Sequence, residues 1–138
     1  MATYGYTSEH FDVVTEDGYH LTLFHITGRV NGESLDITQP PVMFQHAMGA
    51  SAEMWLYIYP EGLPTPLQLV EKGFDVWFSN NRGSIHGQKH NTLTVNDKEF
   101  WDFSWAEMGV YDDVANTKFI FDKTGEKISY FGYSMGTT

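Results

Sequence analysis

Lys127-Ile128-Ser129-Tyr130-Phe131-Gly132-Tyr133-Ser134-Met135-Gly136 is the stretch on which the reading of this chain turns. Its first half alternates and is rich in β-branched and aromatic residues, as in a short strand. The strand runs straight into Gly132-x-Ser134-x-Gly136, the strand-to-turn half of a nucleophile elbow, in which a sharp bend lifts a serine hydroxyl above the end of a parallel sheet. Gly132 and Gly136 are required because such a bend leaves no room for side chains, one glycine packing toward the strand and the other toward a following helix. Composition alone would produce the pattern about 0.07 times in this chain, so the strand in front of it carries the weight. Ser134 is therefore the candidate nucleophile. Four residues follow it, and the expected fold is one cut just after the elbow.

Upstream, residues 100–123 have a helical pattern in two pieces. Asp112 and Asp113 suit the opening turn of the second piece, where the helix dipole favours carboxylates. Val110, Val114 and Phe121, with Tyr111, Ala115 and Phe119, form its expected apolar face, and Gly125 is its stop. Before it, Phe74-Asp75-Val76-Trp77-Phe78 reads as a strand ending in the turn-rich Ser79-Asn80-Asn81-Arg82-Gly83. Thr65 as N-cap and Pro66 at the first helical position start a short helix that Gly73 closes, after turns over residues 60–64. Val42-Met43-Phe44-Gln45 is an apolar run without alternation, expected to be a strand buried on both faces. It leads into the small-residue loop His46-Ala47-Met48-Gly49-Ala50-Ser51.

A helix crossing over between two strands implies that they are parallel and that the sheet is of the α/β class. At the start of the chain, residues 11–14 and 19–26 flank Asp17-Gly18, a hairpin signal in which Gly18 supplies the positive φ. Tyr19, Leu21 and Leu23 share one face of the second strand and His20, Thr22 and Phe24 the other. Residues 27–39 read as loop. The whole order is hairpin, strand, helix, strand, helices, strand, elbow: the N-terminal half of an α/β-hydrolase sheet, held as one partial domain over residues 1–138.

Composition narrows the function. A hydrophobic content of 41% with 16% aromatic residues is globular, and a net charge of −10 argues against nucleic acid or anionic membrane partners. With no cysteine, neither disulfides nor a thiolate zinc site can form. Met1-Ala2-Thr3-Tyr4-Gly5-Tyr6 has neither the basic start nor the apolar core of a signal peptide, and no run approaches a membrane span. No cofactor or metal is expected. His86 and His90 are spaced i, i+4, but Gly87 between them and the lack of a third ligand favour a loop. His20 and His25 read as surface or edge residues.

The chain resembles the acid lipases, the gastric and lysosomal type that hydrolyse triacylglycerols and cholesteryl esters. The resemblance is carried, in order, by residues 15–19, Phe44-Gln45-His46-Ala47-Met48, Gly73-Phe74-Asp75-Val76-Trp77, Asn80-Asn81-Arg82-Gly83, Lys89-His90, Phe100-Trp101-Asp102-Phe103-Ser104, Glu107-Met108, Tyr111-Asp112 and residues 132–138. Asn-Arg-Gly and Phe-Trp-Asp-Phe-Ser are more specific signatures than Gly-x-Ser-x-Gly.

The resemblance implies that Ser134 is the nucleophile and that the backbone N–H groups of Met48 and Met135 form the oxyanion hole. Each such donor is typically worth about 3 kcal/mol. The family usually has His-Gly-Leu where this chain has His46-Ala47-Met48, so a methyl at Ala47 restricts the loop. His46, by the resemblance, is structural, and Asn81, Arg82 and Asp102 are polar ties between loops. The family's catalytic Asp and His and its cap follow the serine.

The resemblance further implies a neutral lipid or ester substrate and a secreted or lysosomal setting. An isolated serine hydroxyl is a poor nucleophile, so the 138-residue chain is expected to be inactive alone. The alternative is a non-catalytic paralogue serving as a binding or regulatory module.

Overall fold

The computed structural model describes residues 1–57 and 62–137. Pro60, in the expected turns, and Thr138, at the end of the last matching segment, lie outside the described residues. The hairpin forms around Asp17-Gly18, Gly18 taking φ 97°. Its strands are longer than the sequence pattern indicated: β1 spans Tyr6–Val14 and β2 spans Tyr19–Arg29. A bulge between Thr7 and Ser8 shifts their register. A strand continues while it has a partner ladder, and polar residues at its exposed end do not stop it.

β3 (Gln39–Gln45) and β4 (Phe74–Phe78) are parallel, joined by two short helices, α1 (Met54–Tyr57) and α2 (Thr65–Val70). β5 (Lys89–His90) is a two-residue strand against β2. A turn of 3₁₀ helix at Lys98–Trp101 precedes one continuous helical run: α3 (Trp105–Glu107), a π-helical segment Met108–Asp113, and α4 (Val114–Thr124). β6 (Ser129–Gly132) then lies parallel to β3 on its free side. The sheet order is β1-β2-β4-β3-β6, so β3 is flanked on both sides by parallel neighbours, β4 and β6.

Two cores sandwich the sheet. Val42, Phe44, Val76, Phe78 and Ile26 meet Trp55, Leu56, Leu67 and Val70 on one face. Met43, Trp77, Leu21, Leu23 and Tyr19 meet Phe100 and Ile120 on the other. This is the double-sided burial expected of Val42–Gln45, and the face assignment along β2 holds as well.

Three expectations need correction. Pro64, not Thr65, stands at the α2 N-cap, and no side chain among the described residues caps that helix; with Pro66 inside the first turn, one N–H fewer needs a partner. Asp112 and Asp113 do not open a helix but lie in the π segment, and Asp112 is fully buried. Val110, Val114 and Phe121 are about half exposed or more, at 62%, 56% and 49%. The inserted π turn rotates the helix, so Ile120 and Asn116 are buried instead, with Ala115 and Phe119 packed behind them.

Candidate active site

The elbow forms as its residue types require. β6 ends at Gly132, the chain bends at Tyr133, and a 3₁₀ turn runs from Ser134 to Thr137. Ser134 has φ 55°, and among the described residues it alone of the non-glycines has a positive φ. A non-glycine held there costs on the order of 1–3 kcal/mol and persists only where its surroundings enforce it.

The surroundings are on the page. A Cβ on Gly132 would strike the Gly136 carbonyl, and one on Gly136 would lie 2.8 Å from the Gln45 carbonyl oxygen and 2.9 Å from that of His46. The Tyr133 N–H donates to the Gln45 carbonyl at 3.3 Å, and the Gly136 N–H donates to the Tyr133 carbonyl at 3.0 Å. Ser134 itself is exposed. The glycines thus let the bend close on itself and press against the end of β3.

The end of β3 leads into the loop that carries Met48. Met48 and Gly49 form a turn closed by the Ala50 N–H on the Ala47 carbonyl at 3.1 Å. The Met48 side chain is 69% exposed. His46, before the turn, is buried and uses both ring nitrogens. Its Nδ1 lies 2.8 Å from the Ala47 carbonyl oxygen, and its Nε2 accepts the Asn81 N–H at 3.1 Å. The carbonyl partner assigns the proton to Nδ1. Burial pushes the imidazole below the ordinary histidine range, against the opposing pull of the Ala47 carbonyl and Glu53.

Farther along, the Ala52 N–H donates to Asn80 Oδ1 at 3.0 Å, and His86 Nε2 meets Glu53 Oε1 at 2.5 Å. The Met48 loop is therefore tied at three points to the loop after β4. Asn80 and Asn81 were legible as a motif. The Glu53–His86 tie was not, because nothing in the sequence connects His86 to a carboxylate 33 residues before it.

Arg82 anchors that second loop. It is 2% exposed, and its guanidinium lies between two carboxylates. Nε donates to Asp112 Oδ1 at 2.9 Å, and Nη2 lies 2.7 Å from the same oxygen. Nη1 and Nη2 form a fork on Asp17 at 2.6 and 2.9 Å. The Tyr19 ring lies 4.0 Å from the guanidinium carbon. Burial alone would raise Asp17, but the Arg82 and Thr15 hydrogen bonds outweigh it and hold the carboxyl below its usual range. At Asp112 burial wins over Arg82, and that carboxyl is raised.

Asn81 and Arg82 thus tie loops together as the resemblance implied, whereas Asp102 is exposed. His20 and His25 are half-buried rather than free at an edge. His20 bonds Asp12 and Asn91, and His25 stacks on Trp77 at 3.8 Å and bonds Asp75. His86 lies in a loop and His90 in β5, and among the described residues no three His, Asp or Glu side chains gather as a metal set.

The first 58 residues match the family model described as the partial alpha/beta-hydrolase lipase region. Mouse gastric triacylglycerol lipase is 43% identical over 141 residues, an alignment that takes in 100% of this chain and 35% of that protein. Human lysosomal acid lipase/cholesteryl ester hydrolase is 40% identical over 139 residues, again across 100% of this chain and 35% of the relative. The chain belongs to the acid lipase family. It corresponds to the N-terminal portion of these lipases and spans about a third of the length of the curated relatives it matches. An esterase from Pyrococcus furiosus superposes with a TM-score of 0.56 at 21% identity, covering 95% of this chain and 43% of the esterase. At that identity the likeness concerns the fold, an α/β-hydrolase sheet as far as the elbow.

Proposed function

We propose that this acid lipase chain carries the nucleophile and oxyanion half of a serine ester hydrolase acting on neutral lipid esters. The observation that supports the reading best is the backbone at Ser134, held at φ 55° on an exposed bend. In this reading the Ser134 hydroxyl attacks an ester carbonyl. The N–H groups of Met48 and Met135 stabilise the tetrahedral oxyanion, and an acyl-enzyme forms with release of the alcohol. A histidine-activated water then frees the fatty acid. The names of the relatives point to triacylglycerols or cholesteryl esters as substrates and to a secreted or lysosomal setting.

In this reading the activating base comes from outside the described residues, as in the resemblance to the family, whose catalytic His follows the serine. His46 spends both nitrogens on Ala47 and Asn81, and His20, His25, His86 and His90 bond other partners. No histidine hydrogen-bonds the Ser134 hydroxyl among the described residues. The 138-residue chain is accordingly proposed to be inactive alone.

The test uses the chain itself and a chimera in which it replaces the matching third of mouse gastric triacylglycerol lipase. The chimera is expected to hydrolyse p-nitrophenyl butyrate, with Ser134→Ala lowering the rate at least about a thousandfold. A chimera whose activity survives that substitution removes Ser134 from the reading. Ser134-dependent hydrolysis by the 138-residue chain overturns the proposed inactivity.

A further inference from the structure

Met48 is 69% exposed, so its own side chain does little to fix where its N–H points. Gly49 takes φ 69°, and among the described residues nothing lies within 4 Å of where a Cβ would stand; it supplies the bend and no contact. The direction of the Met48 N–H is therefore set at the two ends of the loop. At the entrance His46 accepts the Asn81 N–H, and the Ala47 N–H lies 3.3 Å from the Met54 sulfur. At the exit the Ala52 N–H reaches Asn80, and Glu53 reaches His86.

Of these ties only Glu53–His86 joins two side chains, and each of its ends is held a second time. Glu53 Oε1 lies 2.5 Å from His86 Nε2, and Oε2 accepts the Ser51 hydroxyl at 2.5 Å. Burial alone would raise this carboxyl, but the Ser51 and His86 hydrogen bonds outweigh it and hold it below the usual carboxylate range. Both bonds thus end on an anion, the stronger kind of hydrogen bond, and the carboxylate partner assigns a proton to His86 Nε2. The imidazole is moored to β2. The Thr22 N–H donates to the His86 carbonyl at 2.9 Å, and the ring stands edge-on to Phe24 at 4.9 Å. Gly87 lets this segment fold back on itself, because a Cβ there would strike the Asn81 carbonyl. His86 is a fixed post on the sheet, and Glu53 hangs the far end of the Met48 turn from it.

We infer that Glu53 and His86 are positioning residues that aim the Met48 N–H at the oxyanion, so that their bond governs the chemical step and leaves ester binding alone. This role rests on the ester-hydrolase reading of the site. A misplacement of about 1 Å can cost on the order of a hundredfold in rate. The other ties remain when this one is cut, so its loss should cost about tenfold in kcat.

In the chimera, Glu53→Ala should lower kcat for p-nitrophenyl butyrate by that factor and leave KM within about twofold. Glu53→Gln keeps an oxygen for the His86 N–H and an N–H for the Ser51 hydroxyl, and should restore kcat to within about threefold of the parent. His86→Phe keeps a ring against Phe24 and loses only the bond. It should match Glu53→Ala, and the two changes together should lose no more than either alone. Asp122→Ala, which breaks the exposed Lys118–Asp122 pair on α4, should leave kcat unchanged. The Glu53 and His86 side chains are partly exposed, where such a pair adds little to stability, so melting temperatures should stay near that of the parent.

The 138-residue chain gives a readout that needs no turnover. With ¹⁵N-methionine labelling, the Met48 amide resonance should move in Glu53→Ala and return in Glu53→Gln, while that of Met43 in β3 stays in place. An unmoved Met48 amide, a loss carried by KM alone, or fully multiplicative losses in the double variant would each overturn the inference. A parent chimera that is inactive, or that stays active after Ser134→Ala, sinks the catalytic reading and this role with it. A Ser134-dependent parent whose kcat Glu53→Ala leaves untouched sinks the positioning role alone.

Discussion

Ser134 and Asp113 are two residues whose burden is visible only in three dimensions. Ser134 carries backbone strain that its glycine neighbours accommodate. Asp113 carries a charge cost. Its Oδ1 is buried with no hydrogen-bond partner among the described residues, while its Oδ2 accepts the Tyr130 hydroxyl at 3.1 Å. Burial pushes the carboxyl up to about 6, and neighbouring Asp112 adds to the rise while Tyr130 opposes it. In the unfolded chain the same group titrates near 4. Between about pH 4 and 6 the folded state therefore keeps a proton that the unfolded state has released, and stability falls as pH rises through that window. A shift of about two units corresponds to roughly 2–3 kcal/mol. Asp113→Asn should remove this pH dependence and stabilise the chain above pH 6 by up to that amount. Urea denaturation at pH 4 and pH 7 checks it: equal effects of the substitution at the two pH values would show that the Asp113 carboxyl is not raised in the folded state.

At the level of elements, Arg82 joins three pieces that are far apart in sequence: the hairpin turn through Asp17, the loop after β4, and the π segment through Asp112. Removing one partner of a buried ion pair leaves the other unpaired, at about 3–5 kcal/mol. Arg82→Met should cost that much in urea denaturation. The double variant Arg82→Met with Asp112→Asn should lose clearly less than the sum of the two single changes, and strict additivity would mean the pair is not coupled. The same elements show what the sequence could say. The hairpin, β3, β4 and the elbow were legible because each is signalled locally, by Asp17-Gly18, by an unbroken apolar run, or by Gly132-x-Ser134-x-Gly136. The facing of α4 was not, because a π turn adds a residue to the repeat and turns Val110, Val114 and Phe121 outward. Nor did Asp112 reveal itself as a buried partner of Arg82, since two adjacent aspartates ahead of an apolar run look the same at a helix start. The Ser134 and Met48 loops could be placed from sequence. The ties among His46, Asn80, Asn81, Glu53 and His86 that hold them could not, because they depend on which loops the sheet order brings together.

On the scale of the whole molecule, the sheet order leaves β6 at one edge, directly beside β3. Tyr130 and Phe131 on that strand are 43% and 42% exposed, and Tyr133 beyond it 49%. Val110, Val114 and Phe121 expose the adjoining helix. Apolar side chains beside a strand edge with unpaired backbone groups make a template for association. The net charge of −10 opposes that association only at long range and is screened within about 10 Å at 0.1 M salt. The 138-residue chain is therefore expected to self-associate at ~100 μM, within the range where exposed apolar surface and strand edges drive aggregation. Sedimentation velocity over a concentration series at 0.02 and 0.2 M salt should show mass rising with concentration, and more steeply at the higher salt. Val114→Lys places a charge on an exposed helical position and should shift the association to higher concentration without lowering the melting temperature. A monodisperse monomer throughout, melting cooperatively, would mean that β6 and the outward face of α4 are stable against water as they stand, and would remove the physical ground for expecting more chain or a partner to cover them.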